Sequence, residues 1–109
     1  MDLLNELQQK IRELDASVRS LRTNGTKFAE AERDYKITLR QEVLKLRDEG
    51  VAIGVIDKTC YGIPNVAEKR FNRDVCETMY KANLEEINSI KLQIRLIENQ
   101  IQREYGTGN

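Results

Sequence analysis

The side chains of this sequence that could do chemistry are serines, cysteines and carboxylates, and the chain contains no histidine to work beside them. Ser17, Ser20 and Ser89 therefore lack the usual general base that turns a hydroxyl into a nucleophile. Spacing alone does not support a Ser-Lys dyad. We predict a protein that is not an enzyme and has no catalytic residue.

Metal and cofactor sites lack their usual ligand patterns as well. Cys60 and Cys76 do not form a C-x-x-C pair, and a structural zinc site normally needs such spacing or histidine partners. Glu30, Glu32 and Asp34 alternate along the chain, so they do not share one face of a helix. We predict no metal and no cofactor, and we interpret the cysteines as reduced thiols partly packed in a core. A disulfide or redox role is the alternative.

Composition sets the class of protein. The chain has 109 residues, 39% of them hydrophobic and 33% charged, with 18 basic and 18 acidic side chains that cancel. Residues 1–49 and 65–105 are each neutral as well, so the basic cluster that nonspecific nucleic-acid binding needs is missing from both. We expect one domain, and nucleic acid is not the favoured partner, although distant charges could still gather into a patch.

Targeting signals are also missing, because no signal peptide, membrane-spanning run or lipidation motif is recognisable. We therefore expect a cytoplasmic protein with no membrane partner.

Helical periodicity is strong at the amino end. Apolar residues there alternate three and four positions apart, at Leu4, Leu7, Ile11, Leu14, Val18 and Leu21. This spacing predicts a coiled-coil seam on a first long helix over residues 2–49. The poor helix formers Thr23-Asn24-Gly25-Thr26 interrupt it. Because the seam keeps its phase beyond them, we favour a continuous helix weakened near 24–25 over a helix-turn-helix break.

Residues 51–65 differ in character, since this region has the only proline of the chain and is bounded by Gly50. We predict a tip with a short helix over 55–61, a turn at 62–64 and Asn65 as the cap of the next helix. A second long helix is predicted over 66–105 from a stripe at Tyr80, Ile87, Ile90, Ile94, Ile97, Ile101 and Tyr105.

These elements predict an all-α fold, a long antiparallel helical hairpin of coiled-coil type with a short helix and turn at its tip. A two-helix pair has a thin core, and several apolar side chains fall outside the predicted seam. They are Ile37, Leu44, Leu92 and Leu96. We expect them to form an oligomer interface, either in a homodimer or in docking on a partner.

The tip is the predicted partner-binding surface, because tips of helical hairpins are exposed and this one is rich in apolar residues. The expected apolar contacts are Ile53, Ile56, Tyr61 and Ile63, with Arg70 and Arg73 as polar contacts at the rim. An alternative interpretation is DNA reading by a helix-turn-helix over 46–73, with basic residues on phosphate. The turn is too short for that motif, and acidic neighbours dilute the basic residues.

Short segments spread over the chain resemble small proteins of temperate phages and prophages of Gram-positive bacteria. They are Ala29-Glu30-Ala31-Glu32, Asp34-Tyr35-Lys36, Leu46-Arg47-Asp48-Glu49-Gly50, Ile56-Asp57-Lys58, Tyr61-Gly62-Ile63-Pro64 and Arg73-Asp74. The resemblance implies a viral origin and supplies no catalytic residues. Small phage proteins of this kind commonly block a host enzyme or assist phage DNA replication and recombination.

The resemblance and the predicted tip together lead to one functional hypothesis. The chain is expected to be a phage-encoded binding protein that inhibits a host nucleic-acid-targeting defence enzyme by steric occlusion. The partner would be a host or phage protein. The alternative is an accessory factor of phage replication or recombination that associates with DNA or RNA, and a structural protein of the virion is a third class.

Overall fold

The computed structural model describes residues 2–106, and within them the chain is helical. Helix α1 spans Leu3–Asp48, helix α2 spans Ile53–Thr59, a 3-10 turn follows at Cys60–Gly62, and helix α3 spans Pro64–Gly106. The predicted all-α hairpin is confirmed. The chain divides into two compact units, one built from residues 1–23 and 80–109 (unit 1) and the other from residues 24–79 (unit 2).

Helix α1 begins and ends with recognisable caps. Asp2 accepts a hydrogen bond at its Oδ1 from the backbone N–H of Leu4, at 3.1 Å, as an N-cap residue does. At the other end Gly50 has φ of +84°. Its N–H donates to the carbonyl of Arg47, and the N–H of Val51 donates to that of Leu46. These two bonds form a Schellman motif, which fixes the helix end.

The weak segment 23–26 does not break α1. Helical structure continues through Asn24 and Gly25, so the continuous interpretation describes the structure and the helix-turn-helix break does not. The result follows from packing, since Asn24, Gly25 and Phe28 are half-buried. Tertiary contacts of this kind outweigh the low helix propensity of single residues.

The short helix of the tip and the second long helix both begin earlier than predicted. Helix α2 begins at Ile53 instead of Val55, and Pro64 is the first residue of α3. Ile63 is extended, with φ of −63° and ψ of 129°, which is the conformation that a following proline favours. Asn65 therefore lies inside α3, and the prediction that it caps the helix is wrong. Proline suits the first helical position because its missing N–H would be unpaired there anyway.

Three side chains form the core of the tip. Ile56 is 2% exposed, Cys60 4% and Val66 0%. They come from α2, the 3-10 turn and the first turn of α3. The short helix is thus fixed to the start of α3 by burial of apolar surface, which is the main source of stability for so short an element.

In unit 1 the isoleucine stripe of α3 is covered along most of its predicted length, with Ile87, Ile90 and Ile97 each 8% exposed or less. Ile94 and Ile101 are half-buried, whereas Tyr105 at the end of the predicted stripe is 67% exposed. The α1 stripe is only half covered. Leu7, Leu14 and Leu21 are half-buried, whereas the residues of the alternate row, Leu4, Ile11 and Val18, are 44% to 50% exposed. The predicted seam is therefore correct for one of its two rows and wrong for the other, because α3 packs to one side of it.

Candidate functional site

The exposed side of the tip belongs to unit 2 and consists of Ile53, Val55 and Tyr61, which we call the tip surface. Their exposed fractions are 66%, 51% and 47%. Helix α2 buries Ile56 and turns the other two apolar residues outward, so one short amphipathic element supplies both the core and the surface. Because the core beneath is closed, the tip surface is held in place before any partner arrives.

The structure separates the predicted partner-binding residues into three groups. Ile53, Tyr61 and Arg70 are exposed, and Ile63 is half-buried. Ile56 is buried in the tip core, so it supports the surface and does not present a contact of its own. Its prediction as a contact residue is corrected on that ground, since apolar periodicity cannot tell the inner face of a short helix from the outer one.

Arg70 lies against the tip surface. Its guanidinium carbon is 5.4 Å from the centroid of the Tyr61 ring, within the range of a cation–π interaction. Both side chains are exposed. The contact restricts the ring of Tyr61 while leaving one of its faces and the charge of Arg70 available to a partner.

Arg73 has an internal role. Its guanidinium lies over the ring of Tyr35, 4.6 Å from the centroid, is 2.9 Å from Asp74 Oδ1 and 3.7 Å from Glu32 Oε2. Burial alone would lower the pKa of Arg73, but the hydrogen bond to Asp74 and the charges of Asp74 and Glu32 outweigh it and raise that pKa. We therefore assign Arg73 to the packing of α3 on α1, and a role for Arg70 at the rim stays a prediction.

A second apolar surface of unit 2 was missed by the sequence analysis. Phe71, Val75 and Met79 follow one another at four-residue intervals on α3 and are 71%, 43% and 56% exposed. We call them the α3 stripe. With Asp74 and Thr78 they line an open, almost wholly apolar groove. The spacing is visible in the sequence, but it runs out of phase with the isoleucine stripe that dominates this helix.

The four residues predicted for an oligomer interface are all exposed. Ile37 and Leu44 lie in unit 2, at 49% and 41%, and Leu92 and Leu96 lie in unit 1, at 52% and 57%. Exposure makes these side chains available, and self-association through them stays a prediction.

The groups that could do chemistry are engaged in structural contacts. The hydroxyl of Ser17 donates to Glu86 Oε1 at 2.6 Å, and that of Ser20 donates to the carbonyl of Ala16 at 3.1 Å. Cys60 and Cys76 are free thiols, the first buried and the second half-buried. Among residues 2–106 no group of histidine, cysteine or carboxylate side chains is placed to hold a metal ion.

No protein-family model, curated protein or solved structure matches this chain. Over the described range, neither long helix has an apolar stretch of the length that a membrane crossing requires. The functional interpretation therefore rests on the exposed surfaces of the two units.

Proposed function

We propose that this chain is a non-enzymatic protein-binding module and that unit 2 contains its docking site. The observation that supports the proposal is the exposure of the tip surface and of the α3 stripe above a closed core. In the described part of the chain fifteen large hydrophobic side chains are exposed, whereas eight hydrophobic side chains are buried. A helical pair that covers so few of its apolar residues has surface left for a partner.

The residue types also suit protein binding. Phe71, Tyr61 and Met79 belong to the types enriched at the centres of protein interfaces. Full burial of a side chain such as Phe71 contributes about 1.5–3 kcal/mol, so several such anchors together offset a substantial part of the roughly 4–15 kcal/mol that association costs. Arg70 adds a charged group at the edge, where a partner carboxylate could pair with it.

The proposed target is a host nucleic-acid-targeting defence enzyme, and the proposed mechanism is steric occlusion. This part of the proposal rests on the resemblance to small phage proteins. A preformed helical surface is well suited to occlusion, because the inhibitor loses little conformational entropy when it binds. The chain would need no chemistry of its own.

Capture of bacterial proteins on the purified chain, compared with matched variants, tests the docking site. Tyr61→Asp and Phe71→Asp each place a charge on an exposed apolar residue, and Leu92→Asp does the same outside unit 2. We expect the first two to lose the captured protein and the third to keep it, with circular dichroism unchanged in all three. Equal capture by all variants would remove unit 2 from consideration.

The inhibition itself is tested on the captured enzyme. Addition of the chain should reduce its nuclease turnover, and Phe71→Asp should not. The alternative, an accessory factor that binds DNA or RNA, depends on the exposed basic residues Lys58, Lys69 and Arg70. It predicts an electrophoretic shift at low salt that weakens steeply as salt rises. Such a shift, together with intact nuclease activity, would overturn the inhibitor proposal.

A further inference from the structure

A further apolar face lies in unit 1, on a side of the helix pair that α3 does not cover. Leu4, Ile11 and Val18 are seven residues apart, and each is 44% to 50% exposed. They form one row of the heptad seam, and the neighbouring row of Leu7, Leu14 and Leu21 packs in the helix pair. The exposed row is therefore continuous with an existing helix–helix interface and has the spacing that a further helix would fit.

Helix α3 adds one residue to this face. Asn83 contacts Ser17 across the pair, and Leu84 and Val18 each follow these facing residues by one position. In an antiparallel pair of helices, the residue that follows a facing residue lies on the same side of the pair whichever helix it belongs to. Leu84, 36% exposed, thus lies beside Val18 on the same face. We call Leu4, Ile11, Val18 and Leu84 the lateral face.

We propose that the lateral face pairs with the same face of a second copy, so that two copies of unit 1 form an antiparallel four-helix bundle. The row on α1 is symmetric about Ile11, with Leu4 and Val18 at equal distances on either side. A two-fold axis at the level of Ile11 therefore brings Ile11 onto Ile11 of the second copy and Leu4 onto its Val18. An isologous contact needs this kind of self-complementarity.

The α3 side of the face decides how the two copies align. The register set by Ser17 and Asn83 places Lys91 level with Ile11 and Glu98 level with Leu4, and both charged residues are exposed. If α1 packed on α3 of the second copy, two of its three apolar residues would meet these charges. Pairing α1 with α1 of the second copy instead buries apolar side chains against apolar side chains at all three levels of α1. On the α3 half of the face it sets Leu84 beside Glu98 of the second copy and Lys91 level with the second copy's Lys91, where the long stems can pack while the charged groups turn to solvent.

The size of the face is sufficient for a stable pair. Residues 2–21 of α1 span about 30 Å at the helical rise, and two packed helices are roughly 18 Å wide. The face therefore covers about 540 Å² on each copy, and both copies together bury about 1,100 Å². This value exceeds the ~1,000 Å² expected of a specific interface. The inference is independent of the docking site proposed in unit 2.

Sedimentation equilibrium of the full chain tests the pairing, with the expectation of a species of twice the 12.6 kDa chain mass. The double variant Ile11→Gln, Val18→Gln should weaken the dimer by about tenfold or more, since four apolar side chains leave the interface. The matched double variant Leu92→Gln, Leu96→Gln should dimerise as the wild type does. A monomeric wild type, or a dimer lost only in the second variant, would overturn the proposal.

Disulfide trapping gives a second test that does not depend on a polar substitution. In a background with Cys60→Ala and Cys76→Ala, the variant Ile11→Cys should cross-link to itself. Leu4→Cys alone should not, because its two copies would lie about 21 Å apart. Leu4→Cys mixed with Val18→Cys should cross-link again. Trapping of Leu4→Cys alone as readily as Ile11→Cys would contradict the antiparallel pairing.

Discussion

Asn83 donates from its side-chain amide to two atoms of Ser17 at once, the carbonyl oxygen and the hydroxyl oxygen, both at 3.0 Å. The Ser17 hydroxyl in turn donates a hydrogen bond to Glu86 Oε1. Ser17 is 3% exposed and Asn83 is 7% exposed. A buried polar layer of this kind fixes the register of two helices, because a shift by one turn would leave its members unpaired.

Replacement of Asn83 by alanine should lower the free energy of unfolding by about 1–3 kcal/mol, since both bonds to Ser17 are lost inside the core. The double variant Ser17→Ala, Asn83→Leu should recover part of that loss, because the Ser17 hydroxyl is removed together with its amide donor and apolar atoms fill the space. Urea unfolding followed by circular dichroism measures both. If Asn83→Ala unfolds at the wild-type midpoint, the layer does not stabilise the pair.

The core of the tip should be more sensitive than its surface. Ile56→Ala removes a side chain that is 2% exposed and should cost about 2–5 kcal/mol in the stability of the unit that contains it. Ile53→Ala removes the same atoms from a 66% exposed position, and its cost should stay within about 0.5 kcal/mol. Amide hydrogen exchange of residues 53–66 measures the difference. Similar protection in the two variants would contradict the assignment of Ile56 to the core.

Two glycines should respond in opposite directions to the same change. An added Cβ meets nothing within 4 Å at either Gly50 or Gly54, but only Gly50 has a positive φ, +84°. Gly50→Ala should destabilise by about 1–2 kcal/mol because alanine is strained in that region. Gly54→Ala lies within α2 and should stabilise by about 0.4–1 kcal/mol. Thermal unfolding of the two variants measures both changes in stability. A change of the same sign in both variants would refute the role of Gly50 as the αL cap.

The carboxyl of Glu13 should titrate below its ordinary value. The hydrogen bond from Lys10 lowers the pKa of Glu13, desolvation opposes this effect, and the hydrogen bond from Gln9 and the charge of Lys10 lower the pKa further. A carboxyl with a depressed pKa stabilises the fold above its unfolded pKa, and this contribution disappears as pH falls through the folded value. NMR titration should show the pKa of Glu13 rising in Lys10→Met and unchanged in Lys58→Met. An equal pKa in all three proteins would exclude the Lys10 contact in solution.

Helical periodicity predicted most of the fold because it records which residues share a helix face. The isoleucine stripe of α3 and the continuity of α1 through Gly25 follow from it directly. It could not predict which row of the α1 seam would be covered, because Leu7 and Ile11 are equally apolar and only the position of α3 distinguishes them. The buried layer of Ser17 and Asn83 was missed for a related reason, since polar residues at seam positions do not contribute to an apolar pattern.

The sequence predicted apolar side chains at the tip, and the structure differs in which of them are exposed. Ile53 and Ile56 lie three positions apart on α2, one outside and one inside, and hydrophobicity alone does not rank them. Arg73 was expected at a rim and is held by Tyr35 and Asp74, a contact that depends on the fold of unit 2. The exposure of Phe71 was detectable in the sequence, because Phe71, Val75 and Met79 recur every four residues and lie out of phase with the isoleucine stripe.

The sequence separations of the stabilising contacts have a kinetic consequence. The bonds of Ser17 with Asn83 and Glu86 join residues 66 and 69 positions apart, whereas Ile56, Cys60 and Val66 are neighbours along the chain. Closing a long loop costs more chain entropy than closing a short one. We therefore expect residues 53–66 to nucleate folding and the contacts of Ser17 with Asn83 and Glu86 to form last, so that a folding chain already displays its tip before the helices of unit 1 have paired.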